Sequence, residues 1–185
     1  MKYIEKMITG IILGTIILAP MTNNVYAKTY SAEEIEHILS KTRNIVVSPT
    51  QQKTTIPSDI TISEFEHEVF DLINYERTSN GLHELTLNPS LSYIADMKSL
   101  DMKENYYFAH KSPTYGTAYN MINYFGLSYA LVGENIAKGH MTPKEVVVAW
   151  MDSEPHRANI LNPLYDQIGI GHQESRNYWT QIFTN

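Results

Sequence analysis

The sequence predicts an α+β domain, with helices first and a small antiparallel sheet after them. Three observations carry this. Apolar residues recur at helical spacing from about residue 65 to residue 151. Several of these stripes are opened by a Ser, Thr or Asn cap, and two of those caps are followed by proline. Beyond Asn162-Pro163 the pattern changes to short β-rich runs separated by a polar turn.

Before the helices comes a leader. Lys2 and Lys6 precede an apolar run over residues 8–19, and Val25-Tyr26-Ala27 offers a small-x-small cleavage site, so residues 1–27 read as a secretory signal peptide. The run is short of the ~20 residues a membrane-spanning helix needs. Removing the leader takes Lys2, Lys6 and Glu5 from 14 basic and 20 acidic residues, leaving a mature chain of net charge −7. An acidic chain lacks the basic footprint that nucleic acid requires. With no cysteine, disulfides and thiolate metal sites are excluded. An exported domain without disulfide staples points to a bacterial source. Residues 28–60 read as a spacer. Residues 31–41 can form one helix, with Ser31 and Glu34 as its capping box. After it, Ser48-Pro49-Thr50-Gln51-Gln52-Lys53 is too polar to offset its own ordering entropy. Such a tether could hold the domain clear of a cell wall.

The folded domain is expected over residues 61–185. Ser63 and Glu66 form a capping box, and Phe65, Val69, Leu72 and Ile73 follow as one helical stripe that Gly81 ends. Asn88-Pro89 opens a second helix with Leu91, Ile94, Ala95 and Met102 facing inward. A shorter third helix spans residues 117–125, and Thr142-Pro143-Lys144-Glu145 launches a fourth that carries Trp150 into the core. Strands are expected around residues 131–137, 168–171 and 178–183, with a turn over residues 174–177.

The polar chemistry gathers in three places: Phe108-Ala109-His110-Lys111-Ser112-Pro113, Gly133-Glu134-Asn135-Ile136, and His156-Arg157-Ala158-Asn159-Ile160-Leu161. Asn74, Arg77 and Gly81-Leu82 precede them. Trp150-Met151 with Ser153, then Ile168-Gly169 with Gly171, and Tyr178-Trp179-Thr180-Gln181 complete the series. In this order the segments resemble the CAP superfamily of cysteine-rich secretory proteins, antigen 5 and plant PR-1 proteins, also called SCP domains. The resemblance implies a three-layer α-β-α sandwich with a small antiparallel sheet between helices. It also implies a cleft tetrad of two histidines and two glutamates. His110, Glu134 and His156 match three of them. At the fourth position, three residues past the tryptophan, stands Ser153, so Glu154 or Glu145 would have to serve. CAP proteins have no agreed catalytic activity, which lowers the expectation of an enzyme.

Two neutral imidazoles facing each other can hold a divalent cation, and zinc suits imidazole and carboxylate ligands. With only His110 and His156 as ligands such a site is weak. In the simpler reading Glu134 hydrogen-bonds backbone amides and orients His110, and no metal binds. Asn135, Arg157 and Ser112 are expected to support the cleft, Arg157 by tying down a carboxylate or a helix end and Asn159 by bonding local backbone. Ser112 lies two residues from His110, but Ser-Pro there reads as a loop turn without a nucleophile elbow. A metal-bound water with Glu134 as base is the better hydrolytic reading, acting on peptide or peptidoglycan. His67-Glu68-Val69-Phe70-Asp71 falls one residue short of a zinc-protease pattern and reads as a solvated helix face. His37, His83, His140 and His172 show no partner spacing. The sequence thus leads to a secreted binding protein whose cleft takes a divalent cation, a lipid or a cell-envelope component, with no nucleic-acid partner and no membrane span once mature.

The exported protein should begin at Lys28, and mass spectrometry of culture supernatant reads this directly. A chain retaining Met1 in the membrane fraction would overturn the leader assignment.

Overall fold

The computed structural model describes residues 55–185. The leader, the helix expected over residues 31–41 and most of the spacer lie outside them. The order of elements is α1 (Glu64–Ser79), β1 (Thr86–Leu87), α2 (Pro89–Glu104), α3 (Ala118–Tyr124), β2 (Val132–Lys138), α4 (Pro143–Asp152), α5 (Glu154–Ile160), β3 (Gln167–Gln173) and β4 (Tyr178–Thr184).

The caps read from sequence are in place. Ser63 Oγ accepts from the Glu66 amide and Glu66 returns a bond to the Ser63 amide. Asn88 Oδ1 accepts from the Ser90 and Leu91 amides, with Pro89 in the first helical turn. Thr142 caps α4 by the same logic, and Thr117, read from sequence as the first residue of the third helix, is the cap of α3. Each satisfies amides that the helix itself cannot bond.

The sheet runs β1-β3-β4-β2. β4 pairs antiparallel with both β2 and β3, and β1 adds two residues parallel to β3. The sheet is therefore mixed, where the sequence led to an antiparallel one of three strands. A two-residue strand carries no periodicity from which it could be read. β4 is central and buried throughout, while β2 is an edge strand.

Helices cover both faces. On one side Ile168, Ile170, Trp179, Phe183 and Ala137 pack with Val69 and Ile73 of α1, Val146 and Trp150 of α4, and Ile160 of α5. On the other, Ile182 packs with Leu91, Ile94 and Ala95 of α2 and with Met121 and Ile122 of α3. Strand alternation divides each strand's residues between the two cores, and the result is a three-layer α-β-α sandwich. Packing reaches back to Ile56, which lies against the α2–α3 core. At the C-terminal end of α1, the fully buried Arg77 donates to the carbonyls of His83, Ile160, Asn162 and Tyr165. It binds the end of α1 to the chain leaving α5.

α2 lies on β3 backbone to backbone. A Cβ added at Gly169 would sit 2.2 Å from the Leu91 carbonyl carbon, and one at Gly171 would sit 2.1 Å from the Asp96 nitrogen. Neither neighbour is a side chain that could swing away.

Gly171→Ala should therefore force α2 off the sheet and destabilise by at least the ~1–3 kcal/mol typical of overpacking. Trp150→Ala, which empties a site 1% exposed, should cost about 3–5 kcal/mol. Denaturant unfolding measures both, and a wild-type midpoint for Gly171→Ala would contradict the close approach.

Candidate functional site

A cleft of about 400 Å³ opens along the outer edge of β2, lined by residues that include Phe108, His110, Ile136, His140, Trp150 and His156. It forms there because no further strand among the described residues lies beside β2. His110 reaches the cleft from the chain that follows α2, and His156 from α5 on the opposite layer.

His110 is placed by a chain of buried polar contacts. Lys98, on α2 and 1% exposed, donates to the carbonyls of Ala109 (2.8 Å) and His110 (2.7 Å) and to the Tyr107 hydroxyl. Burial lowers the Lys98 pKa, and the charges of Glu134 and Asp101 push it back up. Asp101, one turn further along α2, accepts from Tyr107, Ser112, Thr114 and Asn105. Burial pushes the Asp101 carboxyl upward, but these four hydrogen bonds outweigh it and hold the group below the usual range. The loop carrying His110 is thus clamped by one buried cation and one buried anion.

Ser112 belongs to that clamp. Its hydroxyl donates to Asp101 and accepts from the Thr114 and Tyr115 amides, and the residue is 3% exposed. All its hydrogen-bonding capacity serves the turn, so it is no nucleophile.

The imidazole of His110 is turned by Glu134. Nδ1 lies 2.7 Å from Glu134 Oε1, with the ring well exposed and the carboxylate side chain only 6% exposed. That bond raises the His110 pKa, against burial and the Lys98 charge. Among the described residues Glu134 Oε2 is buried without a hydrogen-bond partner. His156 behaves in the opposite way: burial lowers its pKa, and the nearby His110 lowers it further. Its Nδ1 is likewise buried and unpartnered.

Asn135 and Asn159 hold α5 against β2. Asn135 Nδ2 donates to the His156 carbonyl and to Gln181 Oε1, while Asn159 Nδ2 donates to Asn135 Oδ1 and the Glu134 carbonyl. Asn159 therefore bonds across to the sheet and not to local backbone. Trp150 is a core residue, as its position on the stripe implied, and its ring also floors the cleft while Nε1 donates to the Ile136 carbonyl.

Other sequence candidates are not brought to the cleft. Glu154 is exposed at the first residue of α5 and does not line it. Ser153 does line it, because that residue ends α4 and starts α5 and the chain turns outward immediately after. Glu145 is exposed and accepts from the Met141 amide. Arg157 occupies the last turn of α5, where its charge suits the carbonyl end of the helix, with no ion pair among the described residues. Among the described residues no three His, Asp or Glu side chains gather as a metal site. His67, Glu68 and Asp71 are exposed on α1. Lys98, Asp101 and His140 escaped the sequence reading. Lys98 and Asp101 sit on an amphipathic helix where charges usually face water, and His140 reaches the cleft only through the turn after β2.

The sequence model of the cysteine-rich secretory protein family, CAP, matches residues 70–184. The chain belongs to the CAP family. It is 51% identical over 134 residues to the uncharacterised protein YkwD of Bacillus subtilis, an alignment covering 72% of this chain and 51% of that protein. It is 36% identical over 118 residues to the uncharacterised membrane protein YlbC of the same organism, covering 64% of this chain and 34% of that one. The chain thus spans about half or less of the curated relatives it matches. An extracellular SCP-domain protein of Bacillus anthracis is 34% identical with a TM-score of 0.63, covering 65% of this chain and 40% of that one. An outer surface protein of Borrelia burgdorferi shares the fold at 20% identity and a TM-score of 0.60, covering 69% and 98%. No helix among the described residues is long and apolar enough to cross a membrane.

NMR titration should show His110 losing its proton above the ordinary histidine value of ~6.5 and His156 below it. Glu134→Gln should lower the His110 value. A proton favouring the folded state at His110 stabilises the domain below pH ~6.5, and that contribution fades as pH rises through the raised value. Identical titration of the two rings would contradict the geometry.

Proposed function

We propose that this CAP domain is an extracellular binding module whose cleft takes a divalent cation between His110 and His156, together with the polar end of a cell-envelope ligand. The carrying observation is the Glu134-bound ring of His110 sharing one cleft with His156, two imidazoles from opposite layers of the sandwich. Neutral imidazole is a common ligand for zinc, and a carboxylate holding the other ring nitrogen is the usual way a ligating histidine is oriented. Nδ1 of His110 is committed to Glu134, so Nε2 is its ligating nitrogen. The donor set fits a cation, but weakly, since neither Glu154 nor Glu145 completes it. The cation would supply positive charge for an anionic group of the ligand. The chain's own contribution is to fix the two rings and to offer the apolar floor of Phe108, Ile136, Ala149 and Trp150 to the remainder.

Calorimetric titration with zinc tests the cation. Binding should be saturable at high enough pH to deprotonate both rings and should weaken as pH falls through the raised His110 value, because protons compete for the same lone pairs. His110→Ala or His156→Ala should abolish it with little change in melting temperature, and Glu134→Gln should weaken it by about 10–100-fold. Zinc binding that survives the double histidine replacement would rule the cleft out.

A further inference from the structure

The other edge of the sheet is closed differently. β1 pairs only with the start of β3, so beyond Ile168 no strand among the described residues neighbours the outer side of β3. Side chains take over its amides. Ile170 N donates to Ser92 Oγ of α2 at 3.1 Å. The next outward amide, that of His172, is met by two carboxylates at once: Glu66 Oε1 of α1 at 3.2 Å and Asp96 Oδ1 of α2 at 3.0 Å.

Glu66 and Asp96 come from helices on opposite faces of the sheet. Glu66 is 3% exposed and its second oxygen is occupied by the Ser63 amide. Two carboxylates meeting on a single N–H, with Glu66 buried and Asp96 half-buried, oppose each other's charge, and a proton on one lets it donate to the other. A hollow of about 580 Å³ adjoins them, with Glu64, Glu66, Tyr93, Asp96, His172 and Glu174 as its titratable lining. Among the described residues no lysine or arginine lines it, and burial holds the His172 imidazole below its usual value, so no described cation there offsets a second negative charge.

We propose that Glu66 and Asp96 form a proton-sharing clasp that joins the two helical layers across the open edge of β3 and releases when its proton is lost. Burial first, then the charge of Glu66 and the hydrogen bond to it, push the Asp96 carboxyl up to about 8. In the unfolded chain the same group ionises near 4. Between these values the folded domain keeps a proton that the unfolded chain has released, so rising pH favours unfolding and the clasp's contribution is spent once pH passes about 8.

Unfolding of wild type and Asp96→Asn across this range, with carbon-13 NMR of the wild-type carboxyl groups, provides the test. Asparagine can donate to Glu66 and accept from the His172 amide as the protonated acid does, so the variant should fold. Wild type should show an unfolding constant that rises with pH by up to about tenfold per unit relative to Asp96→Asn. The Asp96 carboxyl should titrate near 8. Hydrogen exchange at the His172 amide should gain more on passing that pH in wild type than in the variant. Parallel pH profiles, an Asp96 carboxyl titrating near 4, or equal His172 protection in the two proteins would each overturn the clasp.

Discussion

The seating of α2 on β3 sets the positions of most other parts of the domain. With glycine at 169 and 171 the helix lies on the strand without intervening side chains, so each later residue of α2 has little freedom in height or rotation over the sheet. Ser92, Asp96 and Ser99 then fall within hydrogen-bonding distance of Ile170 N, His172 N and the Gly171 carbonyl. Further along, Lys98 and Asp101 are carried to the loop before α3, where they clamp the backbone around His110. One steric constraint in the core is thereby transmitted to the imidazole at the surface. The buried charges act over short range through hydrogen bonds, and their desolvation is tolerable only because nearly every donor and acceptor is met.

A small open sheet leaves two edges, and this domain covers them, one only in part, with side chains in place of further strands. Along β3 the covering groups are Ser92, Asp96 and Glu66. Along β2 they are Asn159 and the Trp150 indole, which take the carbonyls of Glu134 and Ile136. An uncovered edge would invite pairing with another chain. The β2 edge is covered incompletely, and the gap between the loop after α2 and the start of α5 is the cleft. The candidate site is thus a consequence of how the sheet ends.

Within that cleft the two histidines are chemically distinct although both are imidazoles. His110 is exposed and anchored to a carboxylate, which favours its charged form. His156 is pressed against buried surface beside a ring that can itself be positive, which favours its neutral form. Glu134 supplies this difference from a strand position facing α2, while the neighbouring Asn135 faces the α5 side and fixes the backbone under His156. Strand alternation lets adjacent residues serve opposite walls of one site.

The sequence by itself determined the elements and most of the cleft. Capping boxes, prolines after caps and apolar stripes are local signals, because a helix satisfies its own backbone and reveals its buried face through period alone; α1 to α4 were legible for that reason. His110, Glu134 and His156 were legible because their segments match a family pattern. What the tertiary structure decided depends on long-range contact. The parallel strand β1 is too short to have a period, Asn159 found its partners on β2, and Glu154 turned outward where α4 breaks into α5. Lys98, Asp96 and Asp101 look in sequence like the solvated charges of any surface helix. Only the glycine-permitted approach of α2 to β3 buries Lys98 and Asp101, half-buries Asp96 and gives each a partner, and no pattern within a single helix records how close the neighbouring strand will come.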